Sequence, residues 1–131
     1  MSKNIPLIIL CSIFLVSCKP SVKPEDLYGK WKYIRVQNPN ANPPDSVNAM
    51  TLREQAPYIQ FTIKDSLLIF WDGKVLSHGT FRMDGRNIIV KEILADGKTR
   101  EFPFYVEELT DKRLIFSTKG TDGSEVTAVK Q

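Results

Sequence analysis

The chain has 131 residues, 42% of them hydrophobic, with 18 Lys and Arg against 15 Asp and Glu. A formal net charge of +3 without a clustered basic stretch excludes the electrostatic footprint of a nucleic-acid-binding domain. The single histidine excludes a His-rich metal centre.

Met1-Ser2-Lys3-Asn4 opens the chain with one positive charge, an apolar run follows from Ile5 to Val16, and Ser17-Cys18 comes next. That order of charge, apolar run and small residue is the pattern of a secretory signal peptide. The run, about twelve residues, is too short for a bilayer span, which needs roughly twenty. Leu15-Val16-Ser17-Cys18 resembles the bacterial lipobox, which implies diacylglycerol on the Cys18 thiol, cleavage before Cys18, and N-acylation of the new terminus. Residues 1–17 are therefore expected to be a cleaved signal-peptide helix, and Cys18 the lipidated N-terminus of the mature chain. Each buried acyl methylene contributes about 0.8 kcal/mol, and two or more chains anchor stably. Cys11 leaves with the signal peptide, so no disulfide can reinforce the domain and its core must hold it.

Residues 18–26 read as a lipidated tether, because Lys19 to Asp26 holds two prolines and no apolar periodicity. It lacks the acidic block that resembles a surface-export tag, which points to a cell-envelope protein on the outer membrane facing the periplasm. Residues 27–131 have the length of one domain.

From Gly29 onward, turn chemistry recurs at short intervals: Asp65-Ser66, Asp72-Gly73, Asp84-Gly85, Asp96-Gly97, Thr110-Asp111 and Asp122-Gly123. Asp-Gly between apolar runs signals a tight hairpin. Eight strands are predicted between these turns: Gly29 to Gln37, Tyr58 to Lys64, Leu67 to Trp71, Lys74 to Met83, Asn87 to Leu94, Thr99 to Leu109, Arg113 to Thr118 and Ser124 to Lys130. Alternations such as Ile59/Phe61/Ile63 against Gln60/Thr62/Lys64 indicate one buried and one wet face. Asn38 to Pro57 breaks the rhythm; its Asn/Pro-rich first half is irregular, and its second half, from Asp45, can make one or two helical turns. The predicted fold class is all-β: an eight-stranded antiparallel up-and-down barrel, in which the first strand pairs with the last and removes the exposed edges. A barrel of that size is either filled by side chains or holds one small ligand.

Three segments carry a family resemblance: Leu27-Tyr28-Gly29-Lys30-Trp31, Gly79 to Gly85, and Phe104 to Leu114. In order and spacing they are similar to lipocalin-like (calycin) proteins, and especially to the short lipocalin-like lipoproteins common in Bacteroidetes. The first contains the family's Gly-x-Trp signature. The resemblance implies that Trp31 plugs the closed end of the barrel with a basic side chain packed across it, Arg113 or Lys130 being the candidates here.

If Trp31 points inward, period two sends Tyr33 and Arg35 inward as well. With Phe61, Phe81, Phe104 and Phe116 they are the candidate ligand-binding residues of the barrel interior, unless the rings simply fill it. An inward Arg35 would need an internal Glu partner or an anionic ligand group. The non-alternating Leu67-Leu68-Ile69-Phe70-Trp71 needs cover on its outer face, for which Asn38 to Pro57, with Val47, Met50 and Leu52, is the nearest candidate, lying on the wall or closing as a lid. His78, beside Ser77 on a strand, lacks a nucleophile-elbow context, and the adjacent Glu107 and Glu108 face opposite ways by strand alternation. An enzyme is not expected, and neither is a metal or cofactor. Two functions are expected as alternatives: binding of a small, mostly apolar molecule in or near the barrel mouth, or docking of an envelope protein, as an inhibitor or accessory module does.

Overall fold

The computed structural model describes residues 19–41, 44–118 and 123–131. The segment expected to be a signal peptide, Cys18 and the Asp122 side of the last Asp-Gly turn lie outside the described residues.

Pro24–Leu27 forms α1, with Pro24 in the first turn, where its missing N–H is no loss, and Leu27 fully buried. The segment expected to be a tether is thus only partly one. Val22 is buried too, and its N–H donates to the Gly85 carbonyl at 3.0 Å. Apolar side chains at 22 and 27 hold this stretch to the barrel despite its prolines.

After α1 come β1 (Gly29–Asn38), β2 (Asp45–Ser46), α2 (Ala49–Gln55), β3 (Tyr58–Phe61), β4 (Ser66–Trp71), β5 (Lys74–Asp84), β6 (Asn87–Ile93), β7 (Thr99–Leu109), β8 (Arg113–Ser117) and β9 (Glu125–Lys130). Leaving aside the two-residue β2, the strands pair antiparallel in chain order, and β9 returns to β1 to close an eight-stranded up-and-down barrel. At the β4–β5 hairpin, Asp72 and Gly73 both have positive φ, as a type I′ turn demands. β3 stops at Phe61, short of the expected Lys64, because Thr62 to Asp65 makes a turn in which the Thr62 hydroxyl accepts from the Ser66 N–H. Ile63 therefore leaves the alternation and is 78% exposed.

One pole is closed by Trp31, which is fully buried and donates from Nε1 to the Leu27 carbonyl at 2.8 Å. The basic partner is Lys130, whose Nζ lies 4.7 Å from the indole centroid and donates to the Tyr28 carbonyl. Arg113 instead pairs with Glu108 on the outer wall. Gly29 has φ +123°, and a Cβ there would come within 2.7 Å of the Lys130 side chain. Glycine at this position thus admits both the backbone turn and the lysine that covers the indole.

The inner layer is continuous: Ile59, Phe61, Leu67, Ile69, Phe81, Ile88, Val90, Phe104, Val106, Leu114, Phe116, Val126 and Ala128 are all buried. β1 departs from simple alternation. The register with β9 shifts between Tyr33 and Arg35, which leaves Ile34 as an extra residue. A bulge of this kind moves every later side chain to the other face. Arg35 is consequently exposed on the outer wall, and Val36, expected outside, is buried. The interior placement expected of Arg35 is overturned.

β2 and α2 close part of the opposite pole. Leu52 is buried and Val47 packs on the core, whereas Met50 is exposed. Asn48 caps α2 by accepting from the Thr51 N–H at 2.8 Å, and Trp71 Nε1 donates to Gln55 at its end. The segment is a partial lid and does not cover the outer face of β4. There, Phe70 stacks on Tyr58 at 4.9 Å, and Lys30 Nζ lies 3.9 Å from the Tyr58 ring.

Replacing Trp31 by Ala removes the plug and leaves a cavity, so stability should fall by about 3–5 kcal/mol. Urea denaturation of the two proteins measures this, and an unchanged midpoint contradicts the plug role.

Candidate functional site

The six inward rings expected at a ligand site, Trp31, Tyr33, Phe61, Phe81, Phe104 and Phe116, are all buried in the core. Five of them pair with one another: Phe61 with Phe81 at 5.1 Å and Tyr33 with Phe116 at 6.0 Å edge-on, and Phe104 with Phe116 at 5.0 Å in a tilted pair. Such tilted pairs are the preferred aromatic packing. None of the six lines the clefts described below. The rings belong to the barrel's packed centre. A cleft of about 450 Å³ lies at the closed pole, against Asp26, Leu109, Asp111 and Lys130, and further space lies at the open rim. Burial raises the Tyr33 phenol above the ordinary tyrosine range.

That space opens opposite the lid. The pairing of β5 with β6 runs only as far as Gly79 and Glu92, and beyond this pair the strands part. A Cβ on Gly79 would come within 1.9 Å of the Lys91 carbonyl, so the bare backbone lets β6 press close just before the strands diverge. The resulting cleft, about 380 Å³, is lined by Val75, Leu76, Ile93 and Leu94 among others, with Ser77, Glu92 and Arg100. On the other side of Arg100 lies a second cleft of about 350 Å³ against Phe102, Pro103 and Thr118. Both volumes fall in the range of small-molecule sites.

Three polar side chains meet between these clefts. Glu92 is only 10% exposed; its Oε1 accepts from Arg100 Nε at 3.0 Å and Nη2 at 2.7 Å, and its Oε2 accepts from Ser77 Oγ. The Arg100 side chain is 62% exposed, and its guanidinium carbon lies 5.3 Å from the Phe102 ring centroid. The carboxylate is held in direction from two sides by charge-assisted and hydroxyl hydrogen bonds, while the arginine side chain remains largely exposed.

Sequence reading missed these residues, although the signal was present. Glu92 continues the inward positions of Ile88 and Val90, and Arg100 those of Phe102 and Phe104. His78 and Ser77 take opposite faces of β5, Ser77 turning in to Glu92 and His78 remaining exposed, so they form no nucleophile–base pair. The register shift between Val106 and Glu108 puts both Glu107 and Glu108 outside, contrary to strict alternation: Glu107 accepts from Ser117 at 3.1 Å, and Glu108 pairs with Arg113 at 3.3 Å. Among the described residues there is no group of three or more His, Cys, Asp or Glu that could hold a metal ion, and no helix long and apolar enough to cross a membrane.

A closed antiparallel barrel with an indole plug at one pole and an open rim at the other is a lipocalin-like fold. The comparison with solved structures agrees. A lipocalin-like protein from Bacteroides uniformis matches with a TM-score of 0.57 at 18% identity, over 81% of this chain and 99% of that one. An uncharacterized protein from Bacteroides eggerthii matches with a TM-score of 0.56 at 20% identity, over 80% and 99% of the two chains. At such identities the likeness is one of fold. No family model and no curated protein matches the sequence.

The raised Tyr33 value carries a pH prediction. Its neutral form is favoured in the folded state, so its stabilisation is complete below the ordinary tyrosine value of about 10 and is lost as pH rises above it toward the folded value. Tyr33→Phe should therefore flatten the alkaline fall in stability measured by denaturation at a series of pH values. Parallel curves for the two proteins would contradict this.

Proposed function

We propose that this protein is a cell-envelope lipoprotein, anchored through Cys18 on the outer membrane facing the periplasm, that binds a small, mostly apolar molecule at its barrel mouth. The observation that carries this reading is the rim cleft beside Glu92 and Arg100. Aliphatic Val75, Leu76, Ile93 and Leu94 offer an apolar molecule surface to bury, worth about 25 cal/mol for each Å² removed from water. The polar end of such a molecule meets Arg100 and the fixed carboxylate of Glu92. With the six inner rings buried in the core, the ligand sits at the mouth and not deep in the barrel.

One observation favours a second reading. Val75, Leu76 and Ile93 are all more than 40% exposed, and an aliphatic rim of this kind also suits the docking of an envelope protein.

Native mass spectrometry of the chain from Lys19 onward, purified without detergent from a bacterial host with an outer membrane, separates the two. A co-purifying lipid-like mass is expected, and Leu76→Asp, a change at an exposed side chain, should abolish it. A clean apo mass together with a stable protein partner in pull-downs would favour docking. For the anchor, Cys18→Ser should move the protein out of the membrane fraction, and unchanged fractionation would refute lipidation.

A further inference from the structure

We infer that the closed pole of the barrel is the face laid against the bilayer, so that the mouth cleft opens away from it. This rests on the lipidation of Cys18 proposed above. The occupant of the surface is the bilayer that receives the acyl chains of Cys18.

The first argument is where the chain arrives. Lys19, the next residue after Cys18, is fixed to the closed pole, its Nζ donating to the Glu107 carbonyl at 3.2 Å. The Pro20 carbonyl accepts from Arg86 Nη1 at 2.8 Å, and Arg86 itself is held by its Nε on the Val106 carbonyl at 2.9 Å. Val22 is 6% exposed and bonded to Gly85 in the β5–β6 turn. These partners all lie at the Trp31 end, where β5 and β7 finish and β6 begins. Consecutive Cα atoms are about 3.8 Å apart, so the acyl chains depart from that pole with no free spacer between.

The second argument is the surface itself. Ile63, 78% exposed, projects from the β3–β4 turn at the same pole, beside exposed Lys64. Lys19, Lys23 and Lys112 are exposed there as well. An aliphatic tip among ammonium groups suits the headgroup boundary, where the side chain enters the acyl edge and the amines meet phosphate oxygens. Glu25, Asp26, Asp65, Asp84 and Asp111 share this pole and are exposed, so charge attraction does not supply the binding; the acyl chains bind, and the Lys19–Val22 segment orients. β1 has ten residues; at roughly 3.3 Å per residue and a strand tilt of about 40°, the mouth stands ~20–25 Å from the closed pole.

The test uses the full lipidated protein in vesicles of phosphatidylethanolamine and phosphatidylglycerol with brominated acyl chains. Acylation consumes the Cys18 thiol and processing removes Cys11, so a cysteine introduced by Ile63→Cys or by Leu76→Cys is the sole site for a fluorescent label. Both positions are exposed, which keeps the fold out of the comparison. Severalfold stronger quenching at 63 than at 76 is expected. A lipidated protein whose labels are quenched alike, or more strongly at 76, overturns the orientation and leaves the anchor standing. A mature N-terminus without acyl mass overturns the anchor and the orientation with it.

Discussion

The barrel depends on β1 serving two neighbours at once. It meets β3 from Gly29 to Lys32 and β9 from Trp31 to Gln37, and only Trp31 and Lys32 are paired with both of them. This stagger is how a sheet of eight strands closes, since closure requires a shear between the first and last strands. The upper half of β1 is then left without β3, and the chain fills the gap locally: β2 pairs with Gln37 and Asn38, the Tyr33 N–H donates to the Pro57 carbonyl, and α2 drops Leu52 into the core. The lid therefore follows from the seam. Because it covers the β1 side of the mouth, the gap between β5 and β6 on the far side remains open.

Much of this was legible in the sequence, and the failures have a common cause. Strands and hairpins follow from alternation and Asp-Gly chemistry, which are local, and the Trp31 plug from a Gly-x-Trp pattern whose glycine proves necessary for the backbone and for Lys130 together. What the sequence hid was register. A bulge is decided by the partner strand, so the inward assignment of Arg35 failed one residue after an error-free start at Trp31 and Tyr33. The same reason undid the expectation that Glu107 and Glu108 face opposite ways. The choice between Arg113 and Lys130 as partner of the indole likewise depended on which strand lay beside β1, and β9 does. Glu92 and Arg100 were missed for a different reason: their positions obey the alternation, but a charged residue on a buried row is accounted for only by its partner, and that partner lies on the neighbouring strand.

A barrel filled by its own rings shifts function to its ends. Trp31, Tyr33, Phe61, Phe81, Phe104 and Phe116 bury large apolar surfaces in one core, and this supplies stability that a domain without disulfides must find there. A deep calyx would take that packing away. The lipocalin-like architecture here is consistent with a shallow site whose apolar walls come from strand ends, where side chains are free of the core's packing demands.

Stability alone does not account for the polar residues at that rim. Replacing a buried ion pair by well-packed apolar side chains is often neutral or stabilising, because desolvation offsets much of the attraction. Position 92 continues the row of Ile88 and Val90, so an aliphatic residue there would extend the core at no polar cost. Instead the chain buries a carboxylate and must satisfy it with Ser77 from β5 and Arg100 from β7. These two partners tie together the strands on either side of β6 at the level where β5 and β6 separate, so the buried carboxylate holds the rim in shape while the Arg100 side chain beside it stays exposed.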